Sequence, residues 1–138
     1  MIRKLIFGDH NPYEGFDTSK YNIEVGTWKG ASAIHMAKIC KELGIKTEII
    51  CVDTFLGSVE HWNKLSFQFN YEHGRPMLYG QFIANVILND VTDYITPFPI
   101  DSQNGFMVLE ALQFKADLIY IDAGHDYFSV KNDLENYW

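Results

Sequence analysis

The segment of residues 21–32 constrains the fold more than any other part of the chain. It reads Tyr-Asn-Ile-Glu-Val-Gly-Thr-Trp-Lys-Gly-Ala-Ser, so an apolar run enters a turn bounded by Gly26 and Gly30. A helical pattern follows and ends at Gly44, a typical C-terminal stop. The residues predicted to face inward are Ala31, Ile34, Ala37, Cys40 and Leu43. A strand, a glycine turn and a helix in this order are typical of the first unit of a nucleotide-binding α/β domain.

The turn does not match the two most familiar phosphate-binding motifs. A dinucleotide-binding loop has glycine two residues after its first glycine, whereas this chain has Trp28 there. The Gly-Lys-Ser/Thr ending of a P-loop is also missing from the segment. An NAD-dependent oxidoreductase is therefore disfavoured.

Two later strands end in acidic residues. The second predicted strand, residues 47–52, ends at Asp53, and the fourth runs into Asp122 and His125. Because ligands bind at the carboxyl ends of strands in open α/β sheets, we expect these side chains to face one crevice with the glycine turn. A carboxylate at Asp53 can accept hydrogen bonds from the hydroxyls of a ribose. The alternatives are a loop or capping aspartate at Asp53 and a capping histidine at His125.

The region between the second and third strands is the least regular part of the chain. Residues 54–75 show no clear period and predict a long ordered loop with short helical pieces, either a lid over a site or an aromatic-rich insertion. Pro76 is predicted to occupy the first position of the next helix.

The third strand is predicted at residues 94–100, where Pro97 and Pro99 indicate the edge of a sheet. Another amphipathic helix is predicted over residues 104–112, and a last helix follows the fourth strand.

The first motif, Glu24-x-Gly26-x-Trp28-x-Gly30 followed by Asp53, resembles that of class I S-adenosylmethionine-dependent methyltransferases. Their motif is an acidic residue, x, Gly, x, Gly, x, Gly. The tryptophan in place of the middle glycine, followed by Lys-Gly-Ala-Ser, is similar to the small-molecule O-methyltransferases of methyltransferase family 24. The runs at residues 53–62 and 122–126 resemble the same subgroup.

The resemblance implies a three-layer, Rossmann-like α/β core with a mostly parallel sheet of strand order 3-2-1-4. It implies S-adenosylmethionine as cofactor and a small-molecule acceptor. Asp122 would position the acceptor or a divalent metal such as Mg²⁺, and His125 would be the general base. The donor-binding residues would be Glu24, Gly26, Thr27, Trp28, Gly30, Asp53, Thr54, Asp101 and Ser102.

Members of this family continue past the fourth strand and its helix. We therefore expect residues 1–138 to be a single, C-terminally truncated domain that lacks the later strands. The leading interpretation is methyl transfer to an oxygen of a small molecule or sugar. The alternative is a truncated, non-catalytic module that binds the donor nucleoside or serves in assembly. An uncovered fourth strand also predicts a homo-oligomer.

Composition excludes some partners. A net charge of −7 disfavours nucleic acid, which requires clustered Lys and Arg. No apolar run is long enough for a membrane span, and the first residues do not form a signal peptide. We expect no membrane partner, a cytoplasmic location and two buried free thiols, Cys40 and Cys51.

Overall fold

The computed structural model describes residues 21–63 and 70–138. The strands are β1 (Tyr21–Val25), β2 (Glu48–Asp53), β3 (Tyr71–Glu72), β4 (Arg75–Pro76), β5 (Ile95–Pro99) and β6 (Leu118–Ile121). The helices are α1 (Ala31–Glu42), α2 (Val59–Asn63), α3 (Leu78–Leu88), α4 (Ser102–Ala111) and α5 (Tyr127–Tyr137).

The main sheet has the strand order β5-β2-β1-β6, and every pairing in it is parallel. This order confirms the predicted 3-2-1-4 arrangement. Val25 lies opposite both Val52 and Ile121, so β1, β2 and β6 end at nearly the same level. The residues that follow these strands therefore meet at one edge of the sheet.

Helices cover both faces of the sheet, which confirms the three-layer α/β architecture. The side chains of β2 alternate, with Ile49 and Cys51 in one core and Ile50 and Val52 in the other. The first core also holds buried residues of α1 and α3, and the second holds residues of α4 and α5. A strand that is apolar on both faces is expected in the centre of a parallel sheet.

The predicted inward face of α1 is partly wrong. Ala33, Ile34 and Ala37 are buried, whereas Ala31 is exposed and Leu43 is 68% exposed. The prediction used a spacing of three residues, but a helix has 3.6 residues per turn. A strict spacing of three therefore drifts away from the core.

The prediction that Pro76 begins a helix is also wrong. Pro76 lies in β4, where it pairs with Tyr71 of β3, and α3 begins at Leu78 after Met77. The predicted loop of residues 54–75 contains α2 and this short hairpin, although residues 64–69 lie outside the described part. The predicted domain spans residues 1–138, of which residues 1–20 also lie outside the described part of the chain.

The edges of the sheet differ in character. β5 carries Pro97 and Pro99 and pairs only with β2 among the described residues, so the predicted proline-containing edge strand is confirmed. β6 pairs only with β1 in the same residues, and Leu118, Ile119 and Tyr120 are exposed. The homo-oligomer stays a prediction.

In the ranges that the structure describes, no helix has the length and apolar character needed to cross a membrane. Cys51 is buried, Cys40 is half-buried, and both are free thiols.

Candidate functional site

Gly26 follows β1, contacts the end of β2 and lies close to the backbone that follows β6. Its φ is 88°, and its N–H donates a 2.9 Å hydrogen bond to the carbonyl oxygen of Val52. A Cβ atom at this position would lie 2.3 Å from the carbonyl oxygen of Asp122. Only glycine satisfies both the positive φ and this close approach of two backbones.

Asp53 holds the glycine turn in place. Its Oδ2 accepts hydrogen bonds from the backbone N–H groups of Thr27 at 2.8 Å and Trp28 at 2.7 Å. Its Oδ1 accepts a third from the N–H of Phe55 at 2.6 Å. A carboxylate offers about four acceptor sites, so one of them remains for a ligand. The predicted pair of ribose hydrogen bonds would require one of the backbone bonds to be given up.

Glu24 lies beneath the turn. It is fully buried and accepts a hydrogen bond from the hydroxyl of Ser32 in the first turn of α1. Burial raises the pKa of Glu24 to about 7, and the bond from Ser32 partly offsets this rise. Glu24 therefore ties β1 to α1, and its predicted contact with the donor stays a prediction. Gly30 is the N-cap of α1 with φ 87°, and a Cβ there would lie 2.8 Å from the Phe82 ring.

The side chain of Trp28 connects the turn to α2. Its ring stacks on His61 with centroids 4.0 Å apart and an interplanar angle of 18°. The Nζ atom of Lys29 lies 5.4 Å from the Trp28 ring centroid, within cation–π range. Ser58, just before α2, shares two contacts with Nδ1 of His61, from its backbone N–H at 3.1 Å and its Oγ at 2.6 Å. The short helix is thus held over the glycine turn.

His125 lies between two carboxylates. Its Nε2 is 3.3 Å from Oδ1 of Asp122, and its Nδ1 is 3.1 Å from Oε1 of Glu60. Asp122 follows β6, whereas Glu60 belongs to α2, so this contact joins the short helix to the end of the sheet. The structure thus brings Asp122 and His125, both predicted site residues, into contact and adds Glu60 as a third residue.

Two adjoining cavities lie around the turn, with volumes of about 230 and 280 Å³. Asp53, Thr54, Asp101 and Ser102 line the first, while Thr27, Glu60 and His125 line the second. The residues common to both are Gly26, Trp28, His61, Asp122 and Ala123. Apart from Glu24 and Gly30, which support the turn, all predicted site residues line one of these cavities. Small-molecule sites usually measure about 300–1,000 Å³, which the adjoining cavities reach only in combination.

A family model described as a methyltransferase domain, that of methyltransferase family 24, matches residues 23–138. The chain belongs to methyltransferase family 24. This membership confirms the resemblance to class I S-adenosylmethionine-dependent methyltransferases, for which S-adenosylmethionine is the usual methyl donor. None of the curated proteins matches the chain.

The cavities of this family 24 methyltransferase have an acidic lining. They contain the carboxylates of Asp53, Glu60, Asp101 and Asp122, and no lysine or arginine is among the described residues that line them. A cleft lined by one sign of charge attracts ligands of the opposite sign. The lining therefore suits a cationic ligand better than the pyrophosphate of a dinucleotide.

Asp101 and Ser102, two of the predicted donor-binding residues, line the first cavity at the start of α4. Asp101 is the N-cap of α4, since its Oδ1 accepts a 2.9 Å hydrogen bond from the N–H of Asn104. The hydrogen bond from the Asn104 side chain, followed by this backbone bond, lowers the pKa of the Asp101 carboxyl. The helix therefore begins at Ser102, two residues before the predicted start. Whether either residue contacts a donor stays a prediction.

Metal ligation by Asp122 also stays a prediction. Residues 21–63 and 70–138 contain no group of three or more His, Cys, Asp or Glu side chains arranged to hold a metal ion. A metal at Asp122 would thus need ligands from the acceptor, from water or from other residues.

Sequence reasoning missed Glu60 and His61 as site residues in this methyltransferase. Both belong to the run at residues 53–62 that carried part of the family resemblance. No spacing rule relates them to Trp28 or His125, because those contacts arise from the tertiary fold. The run itself was the only available signal.

Proposed function

We propose that this chain catalyses S-adenosylmethionine-dependent methyl transfer to an oxygen atom of a small molecule or sugar. The observation that carries the proposal is that β1, β2 and β6 end at nearly the same level of the sheet. It places the glycine turn, Asp53 and the Asp122–His125 pair around two adjoining cavities. Membership of a methyltransferase family supports methyl transfer as the reaction class.

The first cavity fits the nucleoside part of the donor. Gly26 lets the backbone approach closely because any side chain there would meet the backbone of Asp122. The remaining acceptor site on Asp53 suits one ribose hydroxyl, and Asp101 and Ser102 line the same cavity. The acidic lining suits the positive charge of a sulfonium.

When bound, S-adenosylmethionine supplies a methyl group on a positively charged sulfur, which keeps the bonding electron pair once the methyl group has left. Nε2 of His125 takes the proton of the acceptor hydroxyl as the acceptor oxygen forms its bond to the methyl carbon. Asp122, 3.3 Å from Nε2, accepts a hydrogen bond from the protonated ring. The chain thus removes one proton from the acceptor and stabilises the resulting imidazolium.

A second candidate function is donor binding without catalysis. The observation that favours it is the open acceptor side, where the side chain of His125 is 64% exposed among the described residues. Desolvation strengthens electrostatic catalysis, and an open site lacks that advantage. This candidate predicts donor binding in the absence of turnover.

The experiment that tests the first proposal follows a radiolabelled methyl group from S-adenosylmethionine to a panel of alcohols, phenols and sugars. For any acceptor found, His125→Ala and Asp122→Asn should lower turnover, with the loss of a general base costing about 10²–10⁴-fold. His35→Ala is the matched control, since His35 is exposed on α1 and lines neither cavity. Full turnover in both site variants would mean that the chemistry lies elsewhere. Donor binding with no transfer to any acceptor would favour the non-catalytic module.

A further inference from the structure

We propose that Asn85 of α3 is a positioning residue that fixes the glycine turn for donor binding. Its Nδ2 donates a 2.9 Å hydrogen bond to the backbone carbonyl oxygen of Lys29, which lies 56 residues away in the sequence. Asn85 is not among the described residues that line either cavity, so its effect on a ligand passes through the turn. The meaning of this contact for the donor rests on the proposed function.

The peptide unit between Lys29 and Gly30 is hydrogen-bonded at both of its ends. Its carbonyl oxygen accepts the bond from Asn85. Its N–H, which belongs to Gly30, donates to the carbonyl oxygen of Thr27 at 2.8 Å. Because a peptide unit is planar, fixing its carbonyl also fixes the direction of its N–H. The bond from Asn85 therefore helps to direct the Gly30 N–H toward Thr27.

The peptide unit between Thr27 and Trp28 continues this series of contacts. Its carbonyl accepts the bond from Gly30, and its N–H, which belongs to Trp28, donates to Asp53 at 2.7 Å. Asn85 and Asp53 thus hold opposite ends of two hydrogen-bonded peptide units. Thr27 lines the second cavity and Trp28 lines both. The backbone that a donor meets there is therefore positioned from both ends.

The turn depends on such support because its backbone conformation is unfavourable. Trp28 has a positive φ of 54°, which is uncommon for a bulky residue. Lys29 precedes Gly30, the N-cap of α1, whose carbonyl oxygen accepts the first bond of the helix. The carbonyl of Lys29 thus lies outside the bonds of α1, and the amide of Asn85 supplies its partner from another helix.

The helix that carries Asn85 is packed against the same turn. Phe82 lies three residues earlier on α3 and is fully buried, and a Cβ at Gly30 would lie 2.8 Å from its ring. The Phe82 ring also packs on Phe55, whose N–H donates to the carboxylate of Asp53. The two supports of the turn, α3 and Asp53, are therefore connected to each other through the core.

Asn85→Leu tests this role, because leucine has a similar size, carries no charge and donates no hydrogen bond from its side chain. Asn89→Leu is the matched control. The Asn89 amide also donates to a backbone carbonyl, that of Asn85 at 2.7 Å, but this bond stays at the C-terminal end of α3. Calorimetric titration with S-adenosylhomocysteine measures donor affinity, and amide hydrogen exchange of the ligand-free protein measures how firmly the turn is held.

In Asn85→Leu, we expect binding of S-adenosylhomocysteine to weaken about three- to tenfold, the range that corresponds to the net contribution of one hydrogen bond. The amides of Trp28 and Gly30 should exchange faster, while those in the middle of β2 keep their rates. Asn89→Leu should leave both the affinity and the exchange of the turn unchanged. If Asn85→Leu does not fold, Asn85→Ala provides the same test.

With an identified acceptor, the donor KM of Asn85→Leu should rise by the same factor as the dissociation constant. Its kcat at saturating donor should stay unchanged, because no described hydrogen bond joins Asn85 to Asp122 or His125. A loss of stability alone does not produce this separation of KM from kcat.

An affinity within about twofold of that of the unmodified protein would overturn the proposal. Unchanged exchange of the Gly30 amide, an equal loss of affinity in Asn89→Leu, or a lower kcat with an unchanged donor KM would overturn it as well. If the unmodified protein binds no S-adenosylhomocysteine, the proposed function fails. The exchange of the Gly30 amide then still decides whether Asn85 holds the turn, so the two failures are distinguishable.

Discussion

The carboxylate of Asp53 and the backbone N–H of Trp28 are 2.7 Å apart, which ties the end of β2 to the turn after β1. Trp28 has a φ of 54°, a left-handed conformation that is uncommon for a bulky residue. It stands where the general methyltransferase motif has a glycine. The hydrogen bond that the Trp28 N–H donates to the Asp53 carboxylate helps to hold this unfavourable backbone conformation, so Asp53 has a structural task as well as its predicted role at the donor.

Asp53→Asn should weaken binding of S-adenosylhomocysteine by about 1–3 kcal/mol, the scale of a buried polar group left without its partner. In either orientation of the asparagine amide, its nitrogen would face at least one of the backbone N–H groups that now donate to the carboxylate. Calorimetric titration measures the affinity, and urea unfolding measures the accompanying loss of stability. Asp117→Asn is the control because Asp117 is exposed and lines neither cavity. Reduced stability with unchanged affinity would restrict Asp53 to organising the turn.

Trp28→Gly should loosen α2 without disrupting the turn. Glycine adopts the positive φ at no steric cost, but the stacking on His61 is lost. We therefore expect faster hydrogen exchange at the backbone amides of α2 and little change in those of β1. Trp138→Gly is a matched control, since Trp138 is fully exposed. Unchanged exchange in α2 would show that stacking does not hold the helix.

Glu24 should make the stability of the protein depend on pH. Burial raises its pKa from 4.5 to about 7, so the folded protein keeps a proton that the unfolded chain has already lost. The stabilising contribution is complete below the unfolded pKa and is lost as the pH rises through the folded value. The size of this contribution is at most about 3.5 kcal/mol, at about 1.4 kcal/mol per pKa unit.

Glu24→Gln removes this titration while keeping the shape and an oxygen acceptor for Ser32. Relative to the unmodified protein, the variant should gain free energy of unfolding between about pH 4.5 and pH 7. Urea unfolding of both proteins across this range gives the difference directly. Parallel stability curves would contradict the raised pKa.

The exposed edge of β6 bears on the predicted homo-oligomer. Among residues 21–63 and 70–138, β6 is an edge strand with Leu118 and Tyr120 on one face, and Leu134 of α5 is half exposed. If copies associate through this edge, light scattering should give at least twice the chain mass of 16.0 kDa. Lysines block edge pairing, so the double variant Leu118→Lys/Tyr120→Lys should return the mass to that of a monomer. Leu88→Lys, at an exposed site on α3, is the control. A monomer mass for the unmodified protein would contradict the prediction.

The fold could be predicted where the sequence pattern depends on local chemistry. The apolar runs that end at Val25, Val52 and Ile121 identified the strands β1, β2 and β6, and the parallel arrangement then brought their ends together. The prediction for Pro76 was wrong because its pairing with Tyr71 in the β3–β4 hairpin is not revealed by the residue's own preference for the start of a helix.

The site could be predicted only in part, for a related reason. The carboxylate of Asp53 was expected to bind ribose because of its place after β2, but it also accepts three backbone hydrogen bonds. A carboxylate accepts from either kind of donor, and the sequence does not distinguish them. The contact of Glu60 with His125 joins distant parts of the chain and required the structure.

Calorimetric titration of the unmodified protein with S-adenosylhomocysteine and, separately, with NAD tests the central claim most directly. We predict binding of S-adenosylhomocysteine at one site per chain and no binding of NAD, because the turn carries Trp28 and the cavities have an acidic lining. Spectra recorded on the same sample show whether the protein is folded, so that a lack of binding is not mistaken for a loss of structure. The absence of S-adenosylhomocysteine binding by a folded sample, or binding of NAD in its place, would contradict the assignment of this site to a methyl donor.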